Sequence, residues 1–377
     1  MNSGEYTYIW QLDEWPNWKF SHLDSELLSK VNLERGRLLG NMQMLGLALM
    51  SEATLEILTS EVVKTSAIEG EKLDPASVRS SIARRLGIEI TEYAGGSRNI
   101  EGIVEIVLDA TKNFQSPLVH ERLFGWHAAL FPTGRSLHNI IDVAMYRSDG
   151  GGPMEIVSGH YGKTKVHYVA PPAAKLNDEM EHFLHWFETA SGLDPIIKAG
   201  IAHLWFESLH PFDDGNGRIG RAICDMALAR ADGTDNRFYS LSTQIEHDRK
   251  AYYYQLESAQ KGSMDISDWI NWFLGCVLRA ISRGHHMLEN IKFKSNFWKH
   301  WAHLPLNVRQ IQMLNMLIEN FEGNLTSSKW AKITKCSPDT ALRDIRELID
   351  NEVLVSAGAG GRSTHYLLRD FTNNLHS

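Results

Sequence analysis

Side chains that can move protons and bind phosphates are concentrated in one segment, HPFDDGNGRIGR, from His210 to Arg221. An imidazole such as that of His210 can accept a proton near neutral pH. The loop Gly215–Gly217 can adopt positive φ angles and bring backbone N–H groups close to an anion. Asp214 offers a hard oxygen ligand of the kind that Mg²⁺ binds beside phosphates. Together these residues predict a site of phosphate transfer.

Two helices have to position these side chains. Residues 196–209 show the apolar spacing of a helix, and Pro211 cannot continue it, so His210 is expected at an exposed turn. A second helix is expected to begin around Arg218, with its positive N-terminal end pointing at the loop. Arg218 and Arg221 are three residues apart and therefore share a helix face, where they can bind neighbouring phosphates.

The same segment resembles the motif of the Fic family, His-x-Phe-x-Asp/Glu-Gly-Asn-Gly-Arg-x-x-Arg, and every specified position is filled. Each element alone is usually structural, whereas their conjunction is specific. The resemblance covers about residues 95–290 and implies transfer of AMP from ATP to a Ser, Thr or Tyr hydroxyl of a protein, including the enzyme itself. It implies that His210 is the catalytic base and that Asp214 binds Mg²⁺. It also implies that Gly215 to Gly217 form an anion hole and that Arg218 and Arg221 hold the β- and γ-phosphates. The residues expected to bind the nucleotide here are Gly215, Asn216, Gly217, Arg218, Gly220 and Arg221.

A β-hairpin is predicted upstream of the motif. Glu155–Gly159 and Thr164–Ala170 read as two short strands within a glycine-rich segment. By the resemblance, this hairpin occupies the place of the family flap, which aligns a target protein by adding a strand to its edge. The residues expected to contact the target are Lys165, Val166 and His167.

Further residues match positions that line the adenine pocket of the family. These are Tyr252, Tyr253 and Gln260. The family often has Asn where Gln260 stands, and helix packing explains the two tyrosines equally well.

Upstream of the core, Thr65-Ser-Ala-Ile-Glu69-Gly70 resembles the inhibitory motif of the family, Ser/Thr-x-x-x-Glu-Gly/Asn. A short helix is predicted over Thr54–Ser66, and the inhibitory helix is taken to span about 54–70. In the class that carries this motif in the same chain, the Glu pairs with the second motif arginine, here Arg221, and blocks productive seating of the γ-phosphate. The resemblance implies an autoinhibited enzyme. The alternative is that Glu69 belongs to an ordinary helix end.

The last seventy residues or so predict a separate module. Helices are expected over Asn307–Asn320 and Ser327–Thr334, and Ser337 is expected to cap a third helix that ends at Asp350. A β-hairpin follows, from Val353–Val355 through Gly358, Gly360 and Gly361 to Thr364–Leu368. This order is typical of a winged helix-turn-helix. Its charges are balanced, and the expected recognition helix contains four acids, Asp339, Asp344, Glu347 and Asp350. Protein docking or dimerisation is therefore favoured over DNA binding, which stays open.

The whole chain is predicted to be mainly α, with a Fic-type helical core and a hairpin flap. Its 377 residues suggest two or three domains. We expect an N-terminal helical domain at 1–94, a catalytic domain at 95–296 and the winged helix-turn-helix at 297–377. The aromatic N-terminus resembles a small helical domain without assigned chemistry that often precedes Fic cores. Exposed aromatic residues there also favour a homodimer.

Composition excludes several other classes of protein. The net charge of −8 argues against a protein that coats polyanions. The sequence has no apolar run long enough for a membrane span and no signal peptide at its start, so a cytoplasmic location is expected. Its three cysteines, Cys224, Cys276 and Cys336, are too few and too distant for a disulfide framework or a zinc site.

Two other functions remain open besides AMP transfer. The same fold in some relatives transfers phosphate or another nucleotide, or removes AMP. A third hypothesis is a transcriptional regulator whose core senses nucleotide and whose winged helix binds DNA. The filled catalytic positions favour ATP-dependent AMP transfer.

Overall fold

The structure, a computed structural model, describes residues 8–90, 94–95, 97–136, 139–159, 164–357 and 364–370. Within these ranges the chain is mainly helical and its strands form only two-stranded antiparallel sheets, which confirms the predicted fold class. The contacts divide the chain into two compact units, Met1–His285 and His286–Ser377. Among the described residues, no helix has an apolar stretch that could cross a membrane.

The first unit consists of helices and two small hairpins. Its helices are α1 (Ser25–Gln43), α2 (Leu47–Ile68), α3 (Pro75–Leu86), α4 (Arg98–Lys112), α5 (His120–Leu130), α6 (Leu176–Thr189), α7 (Pro195–Leu209), α8 (Asn216–Asp232), α9 (Leu241–His247) and α10 (Arg249–Gln260), and α11 (Ser267–His300) begins in it. The start of α3 is capped, since the Asp74 side chain accepts from the Ser77 amide and Pro75 is the first helical residue.

The hairpins lie between α5 and α6. Their strands are β1 (Arg135–Ser136), β2 (Asn139–Ile140), β3 (Glu155–Ser158) and β4 (Lys165–Val169). β1 pairs with β2, and β3 pairs with β4 with Ile156 opposite Tyr168. The hairpin predicted for the flap is therefore present; β3 begins at Glu155 as predicted and ends one residue early, and β4 is one residue shorter at each end.

Two helices differ from their predicted bounds. α2 begins at Leu47 rather than at Thr54, because residues 47–53 contain neither Gly nor Pro and extend its apolar surface. α8 begins at Asn216 rather than around Arg218, because Gly215 forms the N-cap at φ +83° and the Asn216 side chain turns back onto Phe212. The earlier start of α8 places its N-terminus directly after Gly215.

The core of the first unit is centred on α7. Every residue of Ile196–Leu209 except Lys198 is buried, as expected for a helix that is apolar on nearly all sides. α8 packs along α7, while α4 and α5 pack against α8. α2 packs against α3, α4 and α9. The loop between α7 and α8 is thus held between two firmly packed helices.

The aromatic residues at the N-terminus pack against their own chain. Trp15 and Trp18 contact the ring of Trp205 edge-on, at centroid distances of 6.0 and 5.7 Å. Trp10 donates its indole N–H to the Val169 carbonyl and Trp15 donates to Glu179. The expectation of a homodimer rested on exposed aromatics here, and for these three tryptophans that premise is wrong; Tyr6 lies outside the described residues.

The second unit has the predicted order of elements. Its helices and strands are the end of α11, α12 (Val308–Asn320), α13 (Ser327–Ile333), α14 (Pro338–Asp350), β5 (Leu354–Ala357) and β6 (His365–Leu368). Ser337 caps α14 as predicted, and Leu325 adds an isolated bridge to Tyr366 beside the hairpin. Trp330, Ile345 and Leu348 lie at the centre of its apolar core. The predicted turn glycines Gly358, Gly360 and Gly361 lie outside the described residues.

The acidic charge of α14 points only partly outward. Asp344 is buried and accepts from Arg309 at 2.7 Å and from Asn307 at 3.0 Å. Glu347 accepts from Gln310 on α12. The charge of Asp344 is therefore compensated inside the unit and contributes little to repulsion of an approaching polyanion.

Candidate active site

His210 is the residue that follows α7. It adopts the left-handed conformation at φ +46° and ψ 56°, and its backbone N–H donates to the Phe206 carbonyl. The side chain is partly buried, so the expectation of an exposed turn is wrong; its Nδ1 is buried and has no hydrogen-bond partner among the described residues. Burial, followed by the nearby Arg147 cation, lowers the pKa of His210 to about 4. The imidazole is consequently neutral at physiological pH.

Arg147 holds His210 in place, a role that no pattern in the sequence indicated. Its Nε donates to the His210 carbonyl at 2.8 Å, and its backbone N–H donates to the Pro211 carbonyl. A third bond runs from Nη2 to the Pro171 carbonyl just after β4. The side chain is 1% exposed. Arg147 therefore fixes both the backbone at His210 and the end of the flap.

The loop after His210 is held from both sides. Asn216 is 2% exposed, and its side chain accepts from the Phe212 amide and donates to the Phe212 carbonyl. His127 of α5 stacks on the Phe212 ring, and its Nε2 contacts the Asp214 carbonyl at 3.1 Å. Gly215 takes φ +83°, a value at which any other residue would be strained. The loop is thus preorganised at the N-terminus of α8.

Asp214 is the motif carboxylate that remains accessible. Its side chain is 43% exposed, accepts from the Ser136 hydroxyl, and lies 3.8 Å from Arg218 Nη2. The described residues contain no group of three or more His, Cys, Asp or Glu side chains arranged for a metal. A single exposed carboxylate fits Mg²⁺, which is usually bound by one or two carboxylates together with substrate phosphates.

Arg221 is buried and is already paired. Its Nη2 lies 2.8 Å from Glu69 Oε1, while its Nε and Nη2 donate to the hydroxyl and carbonyl of Thr65. The Arg221 side chain is 3% exposed and the Glu69 side chain 34%. The structure thus brings together the two residues that the inhibitory resemblance paired.

Glu69 also covers Gly217. A Cβ at position 217 would overlap Glu69 Oε1, so the carboxylate rests directly on the backbone of the loop. Next to it, Arg218 lies 3.4 Å from Glu71 and covers the Phe131 ring. The two motif arginines therefore each face a carboxylate from the end of α2 or just beyond it.

Glu69, His210, Gly217 and Arg221 line one cavity of about 680 Å³. Its lining residues come from the end of α2, the β3–β4 hairpin, α7, His210, α8 and α10. The lining includes Glu69, Ile156, Val157, Ser158, His167, Tyr168, Glu207, His210, Gly217, Arg221, Tyr252, Tyr253, Glu257 and Gln260. The site residues expected from the sequence that do not line it are Asp214, Gly215, Asn216, Arg218, Gly220, Lys165 and Val166.

The flap is tied to α10 by Glu257. His167 Nδ1 lies 2.6 Å from Glu257 Oε2, and Lys165 lies 3.7 Å from Glu257 Oε1. Burial alone would raise the pKa of Glu257, but hydrogen bonds from Lys261 and His167 lower it to about 2. Val166 is 37% exposed and remains available to a partner.

The residues expected at the adenine differ in exposure. Tyr252 is buried, and its hydroxyl lies 2.9 Å from Nε2 of His203, whose Nδ1 contacts the Gly220 carbonyl. Gln260 donates to the Ser208 hydroxyl at 3.4 Å. Tyr253 is 42% exposed at the cavity edge. Gly220 acts through its backbone as an anchor for this chain of contacts.

Glu207 lines the cavity, and the sequence analysis did not single it out. It lies on α7, and its side chain faces the cavity. A charged residue within an otherwise apolar helix was the available signal, because an acid is rarely buried without a reason.

Two family models match the chain. Residues 8–88 match a domain of unknown function (DUF4172), and residues 117–228 match the Fic/DOC family. The first of these covers the aromatic N-terminus with α1 to α3, and the second covers the flap and the His210–Arg221 segment.

Similar proteins carry matching names. The chain is 26% identical over 269 residues to a protein adenylyltransferase Fic from Nematostella vectensis, covering 70% of this chain and 56% of that protein. It is 26% identical over 267 residues to one from Aedes aegypti, covering 69% and 48%. The chain thus spans about half the length of these relatives.

Solved structures share the fold. A Fic family protein from Desulfovibrio desulfuricans G20 aligns with a TM-score of 0.53 at 20% identity, covering 93% of this chain and 98% of that one. A Fic domain containing signaling protein from Bacteroides thetaiotaomicron VPI-5482 aligns with a TM-score of 0.50 at 15% identity, covering 70% and 97%.

Proposed function

Because this chain carries a domain of the Fic/DOC family at residues 117–228, we propose that it transfers AMP from ATP to a hydroxyl group of a protein. The relatives named protein adenylyltransferase support this activity. One observation of the structure carries the proposal furthest. His210, Gly217 and Arg221 line the same cavity as Tyr252 and Gln260, and its volume of about 680 Å³ accommodates a nucleotide.

In the proposed reaction, the target hydroxyl loses its proton to His210 as its oxygen attacks the α-phosphorus of ATP. The new O–P bond forms while the bond from the α-phosphorus to the oxygen bridging to the β-phosphate breaks, and pyrophosphate leaves. A neutral imidazole is required for this step, and the lowered pKa of His210 supplies it. Arg147 orients the base through its bond to the His210 carbonyl.

The phosphates would be bound by the loop and by α8. Backbone N–H groups at Gly215–Gly217 would bind the α-phosphate, at the positive end of the helix. Arg218 and Arg221 would bind the β- and γ-phosphates as planar donors. Asp214 would hold Mg²⁺, which neutralises phosphate charge when it is bound.

We also propose that the protein is autoinhibited. Glu69 occupies Arg221 at 2.8 Å and covers Gly217, where a phosphate would have to sit. Phosphate and carboxylate then compete for one guanidinium, and the carboxylate is favoured because it is tethered nearby. Displacement of Glu69 would admit ATP in a productive pose.

A protein target would dock on the flap. Val166 is exposed, and Lys165 and His167 are held by Glu257, so the hairpin presents a fixed edge to an extended segment.

We further propose a three-part organisation, with an N-terminal domain at 1–94, a catalytic domain at 95–296 and a winged helix at 297–377. The cytoplasmic location also remains a proposal.

Intact-mass spectrometry after incubation of the full chain with Mg·ATP tests the reaction. A mass gain of one AMP group on the protein, absent in His210→Ala, is the expected result. A gain of one phosphate group would instead establish phosphate transfer. No gain in the parent chain and none in Glu69→Gly would favour a nucleotide sensor.

A further inference from the structure

Glu207 is a buried carboxyl group that the proposed reaction does not use. It lies on the last turn of α7, is 6% exposed, and lines the cavity of the candidate active site. Its Oε1 is buried and has no hydrogen-bond partner among the described residues. A buried polar atom without a partner is costly, so its presence in a native protein calls for an explanation.

The position of Glu207 points to the phosphate end of the cavity. A Cβ at Gly220 would come within 2.6 Å of Glu207 Oε1, so the carboxyl lies against the turn of α8 that carries Arg221. Arg221 and Gly217 line the same cavity. An anion bound by Arg221 would therefore lie close to Glu207.

The charged and titratable groups around Glu207 come from four elements. Arg221 faces it from α8, Glu69 from the end of α2, Tyr252 from α10 and His203 from α7 itself. Burial raises the pKa of Glu207 to about 7, with Arg221 opposing the shift and Glu69 adding to it. Tyr252 and His203 are uncharged at neutral pH, because burial raises the pKa of the tyrosine and lowers that of the histidine.

We propose that Glu207, in its protonated form, donates a hydrogen bond to a phosphate oxygen of the nucleotide held at Arg221, and that nucleotide binding is coupled to proton uptake at this residue. The inference rests on the proposed binding of ATP. An ionised carboxylate would repel the phosphate, whereas the carboxylic acid donates to it. The incoming negative charge itself favours the protonated form, as the Glu69 carboxylate does in its absence.

The coupling has a measurable consequence for affinity. Above pH 7 the free protein has largely lost the Glu207 proton and must regain it to bind. The dissociation constant for the nucleotide should then rise with pH, approaching about tenfold per pH unit. Below pH 7 the proton is already present and this dependence should disappear.

Isothermal titration calorimetry with α,β-methylene-ATP and Mg²⁺ tests the proposal on the full chain. The analogue cannot transfer AMP, and paired buffers of different ionisation enthalpy report the protons taken up on binding. At pH 8.5 the parent should take up close to one proton more than Glu207→Gln, whose affinity should be nearly independent of pH. The titration of the ligand itself is common to both proteins and cancels in the comparison.

Two further variants separate a ligand contact from a structural role. Glu207→Ala should bind the analogue more weakly than Glu207→Gln, because only the amide retains a donor. Glu56→Gln, which removes an exposed carboxylate from α2, should behave as the parent does. Thermal unfolding of each variant verifies that the fold is intact.

The possible failures are distinct. Equal proton uptake by the parent and Glu207→Gln, or equal affinity of the Gln and Ala variants, would overturn the role of Glu207 and leave ATP binding standing. The same titrations are repeated in Glu69→Gly, in which the Glu69 carboxylate cannot prevent the analogue from binding. Absence of binding in both the parent and Glu69→Gly would overturn the proposed function itself.

Discussion

Replacement of Glu69 by glycine removes the carboxylate that pairs with Arg221. The bond is charge-assisted at 2.8 Å, and the arginine is 3% exposed while the glutamate is 34% exposed. A hydrogen bond to a charged group contributes about 1.5–3 kcal/mol, and partial exposure of Glu69 reduces this to roughly 1–2 kcal/mol. If phosphate must displace Glu69 to reach Arg221, the variant should gain about 5–30-fold in AMP transfer.

Stability should not mask this gain. Glu69 is the C-cap of α2 at φ −83°, so the backbone preference of glycine should add at most about 1 kcal/mol to the roughly 1–2 kcal/mol lost with the ion pair. Arg221 keeps its two bonds to Thr65 in the variant.

Auto-modification by Mg·ATP, followed by intact mass over time, is the assay. Glu69→Gln should fall between the parent and Glu69→Gly, since it keeps the shape of the side chain and loses its charge. Addition of Arg221→Ala to Glu69→Gly should remove the activation, and Glu56→Gln should have no effect. Equal rates for the parent and Glu69→Gly would show that residues 65–70 are an ordinary helix end and that the ion pair restrains nothing.

Four other outcomes are expected. His210→Ala should lower AMP transfer by about 10²–10⁴ while leaving ATP affinity nearly unchanged in calorimetry; transfer at the parent rate would refute the assignment of the base. Because burial and Arg147 lower the pKa of His210 to about 4, the imidazole should remain neutral well below pH 6 and kcat/KM for auto-modification should not fall there. An acid limb near pH 6.5 would contradict this. Asn216→Ala should lower the free energy of unfolding by about 1–3 kcal/mol in thermal denaturation, since it leaves the buried amide and carbonyl of Phe212 without these partners; an unchanged midpoint would argue against the clamp. The full chain should bind duplex DNA weakly in fluorescence anisotropy, with a gentle dependence on salt, whereas tight sequence-specific binding would favour the regulator hypothesis.

The sequence predicted those features that depend on neighbours along the chain. The cap at Ser337 and the interruption at Pro211 are local signals, and each marks a helix end in the structure. The positive φ at Gly215 was predicted for the same reason, whereas Asn216 and Gly217, which were predicted as loop, lie in the first turn of α8.

Features that depend on tertiary approach could not be predicted in this way. His210 is partly buried because Arg147, 63 residues earlier, packs against its backbone. Glu207 faces a cavity whose other lining residues include members of α8 and α10, which are distant from it in local sequence pattern. The local sequence pattern contains no information on these tertiary contacts, so the protonation states of His210 and Glu207 could not be predicted from it.

The three bonds of Arg147 have a consequence for how target choice can change. This arginine joins the end of β4, through Pro171, to the backbone at His210 and Pro211. Both ends of the segment between residues 148 and 170 are thus connected, through Arg147, to the backbone at His210 and Pro211. If a target protein docks on this hairpin as proposed, mutations within the segment could change which protein is recognised without displacing His210. Because Arg147 makes all three of these bonds, we expect that it cannot be substituted as freely as the residues within the segment.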